Sequence, residues 1–470
     1  MTVDAFHSAL APLLPARSVV TDAERIAPWL TDWRGRWSGR SKALLEPAST
    51  DEVATIVRLA GEHGVALVPQ GGNTSMVGGA TPPGDGSAVL LSLRRLNRIR
   101  HMEAGAAVVE AGVILGDLHA AAGESGLRFP LTLGARGSAT LGGLAATNAG
   151  GTQVLRFGTM RSQVLGLEAV LAGGLIHDGL GGLKKDNRGT SLDHLLVGAE
   201  GTLGIITAMR IRLVPAVANR AVAWIGLSSP QAAAELLARL ETATDRLEGF
   251  EIMPATCLQS VLRHLPGGRA PLAGEHPWHV LVELTATIGE AEPPSATLER
   301  LLALEFERGL IADAAIAASE AQAEDFWRLR DSISVAERAR GPAAQHDISV
   351  PPAAMASFMT EAADRVEQAF PGTQAFGYGH LGDGNVHFHV RAPDGADRGW
   401  ADRAEGEAVS RLVHDLVTAA GGSISAEHGI GQMKKDELAR TAPAARLQAL
   451  RAIKAAMDPN GIFNPGKLID

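Results

Sequence analysis

In the first half of the chain, apolar residues recur at helical spacing in some stretches and form short runs typical of strands in others. Ser49-Thr50-Asp51-Glu52 has the form of a capping box, and the apolar residues after it recur at helical spacing, which predicts a helix ending near His63. The Gly173-Gly174 pair between two apolar runs predicts a hairpin. Short apolar runs bounded by glycine predict strands at residues 65–69, 88–93, 106–111, 165–172 and 204–213. Adjacent strands with isolated helices favour the α+β class over a regular βαβ series.

The pattern changes near residue 215, where the chain becomes rich in Ala, Leu and Glu. Helical spacing predicts helices at 231–247, 296–308, 321–338, 404–420 and 445–457, and shorter apolar runs predict strands at 221–227 and 278–285. We therefore expect a separate domain with an antiparallel sheet in the second half of the chain.

Composition narrows the class of protein. The chain has 470 residues, 46% of them apolar and 20% charged, which is typical of a globular protein with two or three domains. A net charge of −9 argues against nucleic-acid binding, which needs a basic surface. The single cysteine, Cys257, excludes an intrachain disulfide framework. The first 20 residues lack the features of a signal peptide, and no apolar run is long enough to span a membrane, so we expect a cytoplasmic protein.

Glycine is the most unusual feature of the composition. Thirty of the 54 glycines lie between Gly61 and Gly204. They have no triplet period and interrupt apolar runs, which excludes collagen and a disordered linker. Two interpretations remain: a sheet protein with many turns, or a domain whose backbone lies close to a large phosphate-bearing cofactor.

Two nucleotide-binding patterns occur in the wrong context. Residues 377–382 match G-x-G-x-x-G, but a strand-like run follows at 385–390 where a dinucleotide site needs a helix. Residues 461–467 match G-x-x-x-x-G-K, but Leu468 stands where a Ser or Thr would bind magnesium. The sequence therefore argues against a nicotinamide-dependent enzyme and against a Walker site.

Three other glycine-rich segments are better candidates for a cofactor site. They are residues 69–75, which directly follow a predicted strand, residues 134–151, and residues 198–206. Consecutive glycines after a strand expose backbone N–H groups that suit pyrophosphate. Each segment alone is also explained by ordinary turns, but three of them favour an extended cofactor held by backbone.

The second group of candidate functional residues consists mainly of histidines. His387 and His389 are two residues apart on a predicted strand, so both face the same side, and His380 precedes them across a Gly-Asp-Gly turn. Glu427 and His428 lie downstream beside further glycines. Imidazole with one carboxylate suits Zn²⁺ or a similar ion, although buried structural histidines explain the same pattern equally well. Arg330 lies on a predicted helix and is either a surface residue or a carboxylate binder.

Seven segments in colinear order resemble the FAD-linked D-2-hydroxyacid dehydrogenases of the vanillyl-alcohol-oxidase type, and the hydroxyglutarate enzymes in particular. The segments are PQGGNTSMVGG (69–79), LGARGSATLGGLAATNAGG (133–151), KKDNRGTSL (184–192), GAEGTLGIIT (198–207), GYGHLGDGNVHFH (377–389), SAEHGIG (425–431) and DPNGIFNPGK (458–467). The resemblance implies an α+β fold with a two-subdomain FAD-binding domain (1–216), an α+β cap or substrate domain (217–420) and a C-terminal helical segment that returns to the flavin (421–470).

The resemblance also implies the cofactor site. The residues expected to contact FAD are Pro69, Gln70, Gly71, Gly72, Asn73, Thr74, Ser75, Gly142, Gly143, Asn148, Gly150, Gly151, Gly201, Ile206 and Asn464. Some flavoproteins of this type attach FAD through a histidine in the first glycine-rich loop. No histidine lies in residues 69–79 here, so we predict non-covalent FAD.

By the same resemblance, His380, His387 and Glu427 are the expected ligands of a divalent metal, with zinc as the expected ion, and His428 is the expected base. Oxidation of a D-2-hydroxyacid to the 2-oxoacid would pass the hydride to flavin N5. Arg330 would bind a substrate carboxylate, and Ser334 stands where the family carries a hydroxyl residue. The implied electron acceptor is an electron-transfer flavoprotein, a quinone or a cytochrome, and a homodimer is one candidate assembly.

Two positions depart from the hydroxyglutarate enzymes. Gln345 stands where we expect a lysine, and His389 where we expect an asparagine. Loss of the lysine removes a partner for a second substrate carboxylate, which leaves D-2-hydroxyglutarate, D-lactate and D-malate as candidate substrates, with His389 as an alternative donor. A non-catalytic flavin-binding subunit of a larger complex is the alternative function, although such a subunit would not need the His/Glu set.

Overall fold

Hydrogen bonds at the capping box define the helix that the sequence predicts after residue 49. The computed structural model describes residues 2–469. Ser49 Oγ accepts a hydrogen bond from the backbone N–H of Glu52 at 3.2 Å, and the helix spans Thr50–His63. It ends at Gly64, whose φ of 62° lies in the left-handed region that a helix end favours. The predicted helix is confirmed.

The chain forms two units, and each has its own sheets and core. The first unit contains the chain up to Gly151, Phe157–Pro215 and the chain from Glu427 onward. The second unit contains Thr152–Arg156 and Ala216–Ala426. The roles assigned to residues 1–216, 217–420 and 421–470 stay predictions.

The described part of the first unit contains three sheets. A four-stranded sheet contains, in spatial order, Val19–Val20, Leu44–Leu45, Ala88–Ser92 and Ala66–Gln70, and the last three strands are parallel. An antiparallel five-stranded sheet contains, in spatial order, Ile99–Glu103, Ala106–Glu110, Ile205–Arg212, Val164–Val170 and Ile176–Asp178. Leu127–Arg128 and Val214–Pro215 form a two-stranded sheet. The five strands predicted in this unit are confirmed. The Gly173-Gly174 hairpin is also confirmed, because Val164–Val170 pairs with Ile176–Asp178.

Short helices connect and cover these sheets. The α-helices of the first unit are Thr2–Leu10, Ala23–Ile26, Thr50–His63, Leu115–Glu124, Leu141–Thr147, Met160–Gln163, Leu192–Leu196, Lys435–Thr441 and Ala444–Met457, with 3-10 turns at Ala16–Ser18, Ala27–Trp29 and Ala172–Gly174. A further helix, Val154–Phe157, begins in the second unit and ends with the first residue of the next segment of the first unit. The core of the five-stranded sheet is formed by residues such as Val109, Leu167 and Met209, all buried.

One antiparallel sheet of seven strands forms the second unit. Its strands are, in spatial order, Asp313–Ile316, Asn219–Leu227, Trp278–Ala286, Leu247–Pro254, Gln374–His380, Asn385–Arg391 and Ala343–Ser349. Its helices are Pro230–Ala243, Ala255–His264, Pro294–Glu307, Glu320–Asp331, Ile333–Arg340, Pro352–Ala369 and Ala404–Ala419, with a 3-10 turn at Trp400–Asp402. The strand-like run after the Gly-Asp-Gly turn is a strand, as predicted.

Two helix predictions in the second unit are wrong in their bounds. The helix predicted to reach residue 247 ends at Ala243, because Leu247 begins a strand whose residues are almost all buried. The helix predicted at 321–338 is two helices, Glu320–Asp331 and Ile333–Arg340, which meet at Ser332. Both errors arise where two elements follow each other without a strong break in the sequence.

The two faces of the seven-stranded sheet are packed differently. One face carries Val386, Phe388 and Val390, which are fully buried in the main core of this unit. The opposite face carries the alternate residues of the same strand and a smaller core around Trp224, Phe326 and Tyr378. Because side chains alternate along a strand, the polar residues at 385, 387 and 389 share this second face. None of the helices described in residues 2–469 is long and apolar enough to cross a membrane.

Candidate active site

Two glycine-rich segments of the first unit lie against each other. The strand Ala66–Gln70 leads into Gly71 and Gly72. A Cβ atom on Gly71 would lie 2.1 Å from Thr140 Oγ1, and one on Gly72 would lie 2.0 Å from the carbonyl oxygen of Ser138. Both distances are far below van der Waals contact, and at Gly72 the neighbouring atom is backbone, so a side chain there would push the two segments apart. The sequence prediction that these segments form one backbone-lined surface is consistent with this packing.

Glu200 connects the third glycine-rich segment to the C-terminal part of the chain. Its carboxylate accepts hydrogen bonds from the backbone N–H groups of Ile430 and Gly431, each at 2.7 Å. Its own N–H donates to the carbonyl of Ala146 at 2.7 Å, and its carbonyl accepts from Asn464 Nδ2 at 2.7 Å. Burial raises the pKa of Glu200, which the two N–H donors oppose. Sequence reasoning missed this residue.

Several buried polar atoms in this part of the first unit have no hydrogen-bond partner within residues 2–469. Gln70 Oε1, Thr140 Oγ1 and Asn464 Oδ1 are buried without a hydrogen bond among the described residues. An unsatisfied buried polar atom costs about 1–3 kcal/mol, so three of them indicate a ligand with hydrogen-bonding groups. FAD offers such groups on its ring, ribityl chain and ribose. The donor and acceptor set of this surface therefore fits FAD.

All fifteen residues predicted to contact FAD belong to the first unit. Some of them also have structural roles: Asn73 Nδ2 donates to the carbonyl of Thr31 at 2.9 Å, and Ser75 Oγ accepts from the N–H of Gly79 at 3.1 Å. Asn73, Asn148 and Asn464 have φ values of 53°, 51° and 42°. Asparagine tolerates this left-handed conformation better than most residues. Their contact with FAD stays a prediction.

In the second unit, the predicted polar residues form rows across three neighbouring strands. Asp347 and Tyr378 lie opposite His387 on either side, and Gln345 and Phe376 lie opposite His389 on either side. The ring centroids of Tyr378 and His387 are 5.1 Å apart. The sheet register thus places His387 and His389 in two successive rows on the same face.

Glu251, Arg330 and His380 form a buried triad on this face. Glu251 Oε1 lies 2.6 Å from His380 Nδ1, and Glu251 Oε2 accepts from Arg330 Nε at 2.8 Å and Nη2 at 2.6 Å. Burial alone would raise the pKa of Glu251, but Arg330 and His380 hold it at about 2. The carboxylate is therefore ionised and pairs with the guanidinium. Sequence reasoning predicted Arg330 and His380 but missed Glu251.

His387 lies beside this triad. Its ring centroid is 5.4 Å from that of His380. Burial lowers the pKa of His387 well below its usual value, and the neighbouring His380 and Arg330 act in the same direction. The neutral imidazole that results is the form that coordinates metals. Within the second unit, the structure thus brings His380, His387 and Arg330 close together, and their roles stay predictions.

Three other predicted residues occupy distinct places. Ser334 lies in the first turn of the helix Ile333–Arg340, which follows the helix of Arg330, and its Oγ is 3.4 Å from Arg338 Nη1. Ala426, the last residue of the second unit, donates its N–H to the carbonyl of Asp347 at 3.3 Å. Glu427 and His428 follow it as the first residues of the returning segment of the first unit.

Comparisons with known proteins identify the family of the chain. Residues 217–468 match the family described as FAD linked oxidases, C-terminal domain, and residues 41–179 match the family described as FAD binding domain. The mitochondrial D-2-hydroxyglutarate dehydrogenase of Bos taurus is 39% identical over 471 residues, covering 98% of this chain and 83% of the relative. The D-2-hydroxyglutarate dehydrogenase of Xanthomonas citri pv. viticola is 37% identical, covering 98% of this chain and 96% of the relative.

The chain belongs to the FAD-linked D-2-hydroxyacid dehydrogenases. The enzyme uses FAD to oxidise a D-2-hydroxyacid, as its sequence predicts. A putative mitochondrial D-lactate dehydrogenase of Schizosaccharomyces pombe is also similar, with 32% identity that covers 96% of this chain and 86% of the relative. The family resemblance is confirmed.

The fold of the dehydrogenase is that of the vanillyl-alcohol-oxidase type. A crystal structure of p-cresol methylhydroxylase with bound substrate matches with a TM-score of 0.75 at 16% identity, covering 100% of this chain and 97% of that one. A 4-ethylphenol oxidase from Gulosibacter chungangensis matches with a TM-score of 0.71 at 20% identity, covering 99% of this chain and 97% of that one. The predicted α+β fold is confirmed.

Proposed function

We propose that this enzyme oxidises the 2-hydroxyl group of a D-2-hydroxyacid by a metal-assisted reaction in which Arg330 binds the substrate and His428 is the base. The observation that carries the proposal is the buried triad of Glu251, Arg330 and His380. The triad places the guanidinium of Arg330, which can bind a carboxylate, next to the imidazole of His380 on one face of the sheet. An anionic substrate that also ligates a metal needs both groups in one place.

Arg330 would bind the C1 carboxylate of the substrate. Its side chain is 13% exposed, and Glu251 engages its Nε and Nη2. A guanidinium that is fixed through one edge presents its other N–H groups in a set orientation, which favours bidentate recognition of a carboxylate. Ser334, at the start of the next helix, would add a hydroxyl to the substrate site.

His380, His387 and Glu427 would hold a divalent metal, with zinc as the expected ion. Each of these side chains offers one ligand atom of a type that zinc binds. The donor chemistry therefore fits the metal. A divalent ion, when bound, supplies a Lewis acid that lowers the pKa of the substrate's 2-hydroxyl group.

His428 would take the proton of the 2-hydroxyl group as the C2–H bond breaks. FAD, when bound, supplies the two-electron acceptor whose N5 atom takes the hydride from C2. The proton goes to the imidazole of His428, and the substrate leaves as the 2-oxoacid, so charge and electrons balance. Gly429 follows His428, and Glu200 fixes the backbone of the next two residues.

FAD is proposed to be non-covalent, because residues 69–79 contain no histidine for a covalent link. Denaturation and filtration of the purified enzyme test this directly: the yellow colour should pass through the filter. Colour retained on the unfolded chain would contradict the proposal. The acceptor (electron-transfer flavoprotein, quinone or cytochrome), the homodimer and the cytoplasmic location stay predictions.

Anaerobic mixing of the holoenzyme with D- and L-2-hydroxyacids tests the reaction. D-2-hydroxyglutarate, D-lactate and D-malate are compared with their L enantiomers, and loss of the flavin's visible absorbance is followed. Bleaching by at least one D acid and by none of the L acids is expected. Dialysis against a chelator should slow the bleaching, and added Zn²⁺ should restore it. Full bleaching in the metal-free enzyme would contradict the metal's role.

A further inference from the structure

Glu251 is the one carboxylate that contacts both Arg330 and His380 among the hydrogen bonds described above. It lies on the strand Leu247–Pro254, directly opposite His380 on the strand Gln374–His380. Its side chain is 1% exposed. Its two oxygens are divided: Oε1 faces His380, and Oε2 faces Arg330. One buried group therefore contacts a predicted metal ligand and the predicted substrate binder.

The contact with Glu251 determines which nitrogen of His380 is protonated. Glu251 forms an ion pair with Arg330 through Oε2, and a carboxylate paired in this way accepts hydrogen bonds only, so His380 Nδ1, at 2.6 Å from Oε1, carries the hydrogen. The lone pair of the ring is then on Nε2. Metal-binding histidines commonly have this arrangement, in which a carboxylate fixes the tautomer and raises the basicity of the other nitrogen.

The contact with Glu251 also offsets an electrostatic repulsion between Arg330 and a cation at His380. Arg330 Nη2 lies 3.4 Å from His380 Nε2. A divalent cation on Nε2 would therefore stand next to a buried guanidinium, and the two charges repel each other strongly where water is excluded. The negative charge of Glu251, in contact with both side chains, offsets this repulsion. Without it, the same pair of residues would disfavour a metal.

We propose that Glu251 is a positioning residue that directs His380 Nε2 toward a divalent cation and makes the cation compatible with Arg330. This inference rests on the proposed function, because the metal at His380 is part of it. Glu251 contacts neither the substrate nor the metal in this scheme. Its role is to set the tautomer of one residue and to neutralise the charge of the other.

Glu251→Gln and Glu251→Asp separate charge from size. The glutamine keeps the shape but removes the charge, and the aspartate keeps the charge on a shorter chain. Glu337→Gln is the matched control: Glu337 is also buried in the second unit and accepts from Arg391 Nε at 2.9 Å, but it contacts no predicted ligand. For each holoenzyme, the metal is stripped with a chelator and Zn²⁺ is titrated calorimetrically while flavin content is measured.

We expect Glu251→Gln to bind Zn²⁺ about 10–100-fold more weakly than the unmodified enzyme, the range typical for loss of such a supporting group. Glu251→Asp should recover part of the affinity, and Glu337→Gln should bind Zn²⁺ normally. The KM for the substrate should rise in Glu251→Gln through Arg330, and all variants should retain FAD. Equal Zn²⁺ affinity in Glu251→Gln and the unmodified enzyme would overturn the inference. Absence of Zn²⁺ binding to the unmodified enzyme would instead overturn the metal in the proposed function.

Discussion

Gln345 and His389 lie directly opposite each other in the antiparallel pair of strands Ala343–Ser349 and Asn385–Arg391. The next row on the same face, two residues along each strand, contains Asp347 and His387. Two residues of a strand span about 6.6–6.8 Å. A substrate held at His387 and extended along the sheet would therefore bring the far end of its carbon chain to Gln345 and His389. These are the two positions where the chain departs from the expected hydroxyglutarate pattern.

Gln345→Lys should shift substrate preference toward D-2-hydroxyglutarate. The new ammonium group would pair with the second carboxylate of this acid, whereas D-lactate has none. A charged hydrogen bond contributes about 1.5–3 kcal/mol, so the ratio of kcat/KM for D-2-hydroxyglutarate to that for D-lactate should rise roughly tenfold or more. Gln345→Met, which has similar size without charge, is the control. An unchanged ratio in Gln345→Lys would mean that the substrate chain does not reach this row.

His428→Ala should retain FAD but lose most of its rate of flavin reduction. Removal of a general base typically lowers the rate about 10²–10⁴-fold, and binding of the cofactor by the glycine-rich segments does not depend on it. Stopped-flow absorbance under anaerobic conditions measures the rate. His101→Ala, at an exposed histidine of the same unit, serves as the control. Reduction of His428→Ala at the original rate would exclude His428 as the base.

Glu200→Ala should destabilise the enzyme and also slow flavin reduction. The substitution leaves the N–H groups of Ile430 and Gly431 without their acceptor. Each unsatisfied N–H costs about 1–3 kcal/mol, so the melting temperature of the holoenzyme should fall clearly. The rate should fall as well, because these amides fix the backbone that follows His428.

The control variant Glu110→Gln separates the loss of stability from the loss of flavin-reduction rate that we expect for Glu200→Ala. Glu110 is a fully buried carboxylate of the same unit, bonded to Arg98 and Arg100 in the five-stranded sheet. We expect its variant to lose stability but to keep its rate of flavin reduction at temperatures where it is folded. If Glu200→Ala behaves in the same way, Glu200 has only a structural role.

The sequence predicts features that depend on neighbouring residues better than features that depend on distant ones. The capping box at Ser49 and the hairpin at Gly173-Gly174 need only a few consecutive residues, and both are observed. Glu251 lies 79 positions from Arg330 and 129 from His380. Glu200 lies 230 positions from Ile430. No local sequence pattern indicates hydrogen-bond partners so far apart in the chain. The roles of Glu251 and Glu200 can therefore be identified only from the folded structure.

The histidines illustrate the same limit in another way. Spacing along one strand correctly places His387 and His389 on one face. It does not indicate that Tyr378 and Asp347 flank His387, since these come from two other strands. It also does not indicate the low pKa of His387, which results from burial and from the neighbouring His380 and Arg330. The family resemblance supplied the ligand set that spacing left open.

Lys467 should make the stability of the holoenzyme depend on pH in the alkaline range. Its side chain is buried, and burial together with Lys435 lowers its pKa from 10.5 to about 8, although Glu200 opposes this. Between pH 8 and 10.5 the unfolded chain binds the proton more tightly than the folded enzyme does. The free energy of unfolding contributed by this group therefore rises with pH across that window, and the destabilising effect of the buried charge is greatest below it.

Lys467→Met removes this titration and keeps most of the side-chain volume. Denaturant unfolding of both holoenzymes at several pH values gives the difference in their free energies of unfolding, from which all other titrating groups cancel. The unmodified enzyme should gain stability relative to Lys467→Met as the pH rises above 8. Lys42→Met, at a largely exposed lysine, should show no such trend relative to the unmodified enzyme. A difference between Lys467→Met and the unmodified enzyme that stays constant across the window would show that Lys467 does not titrate there.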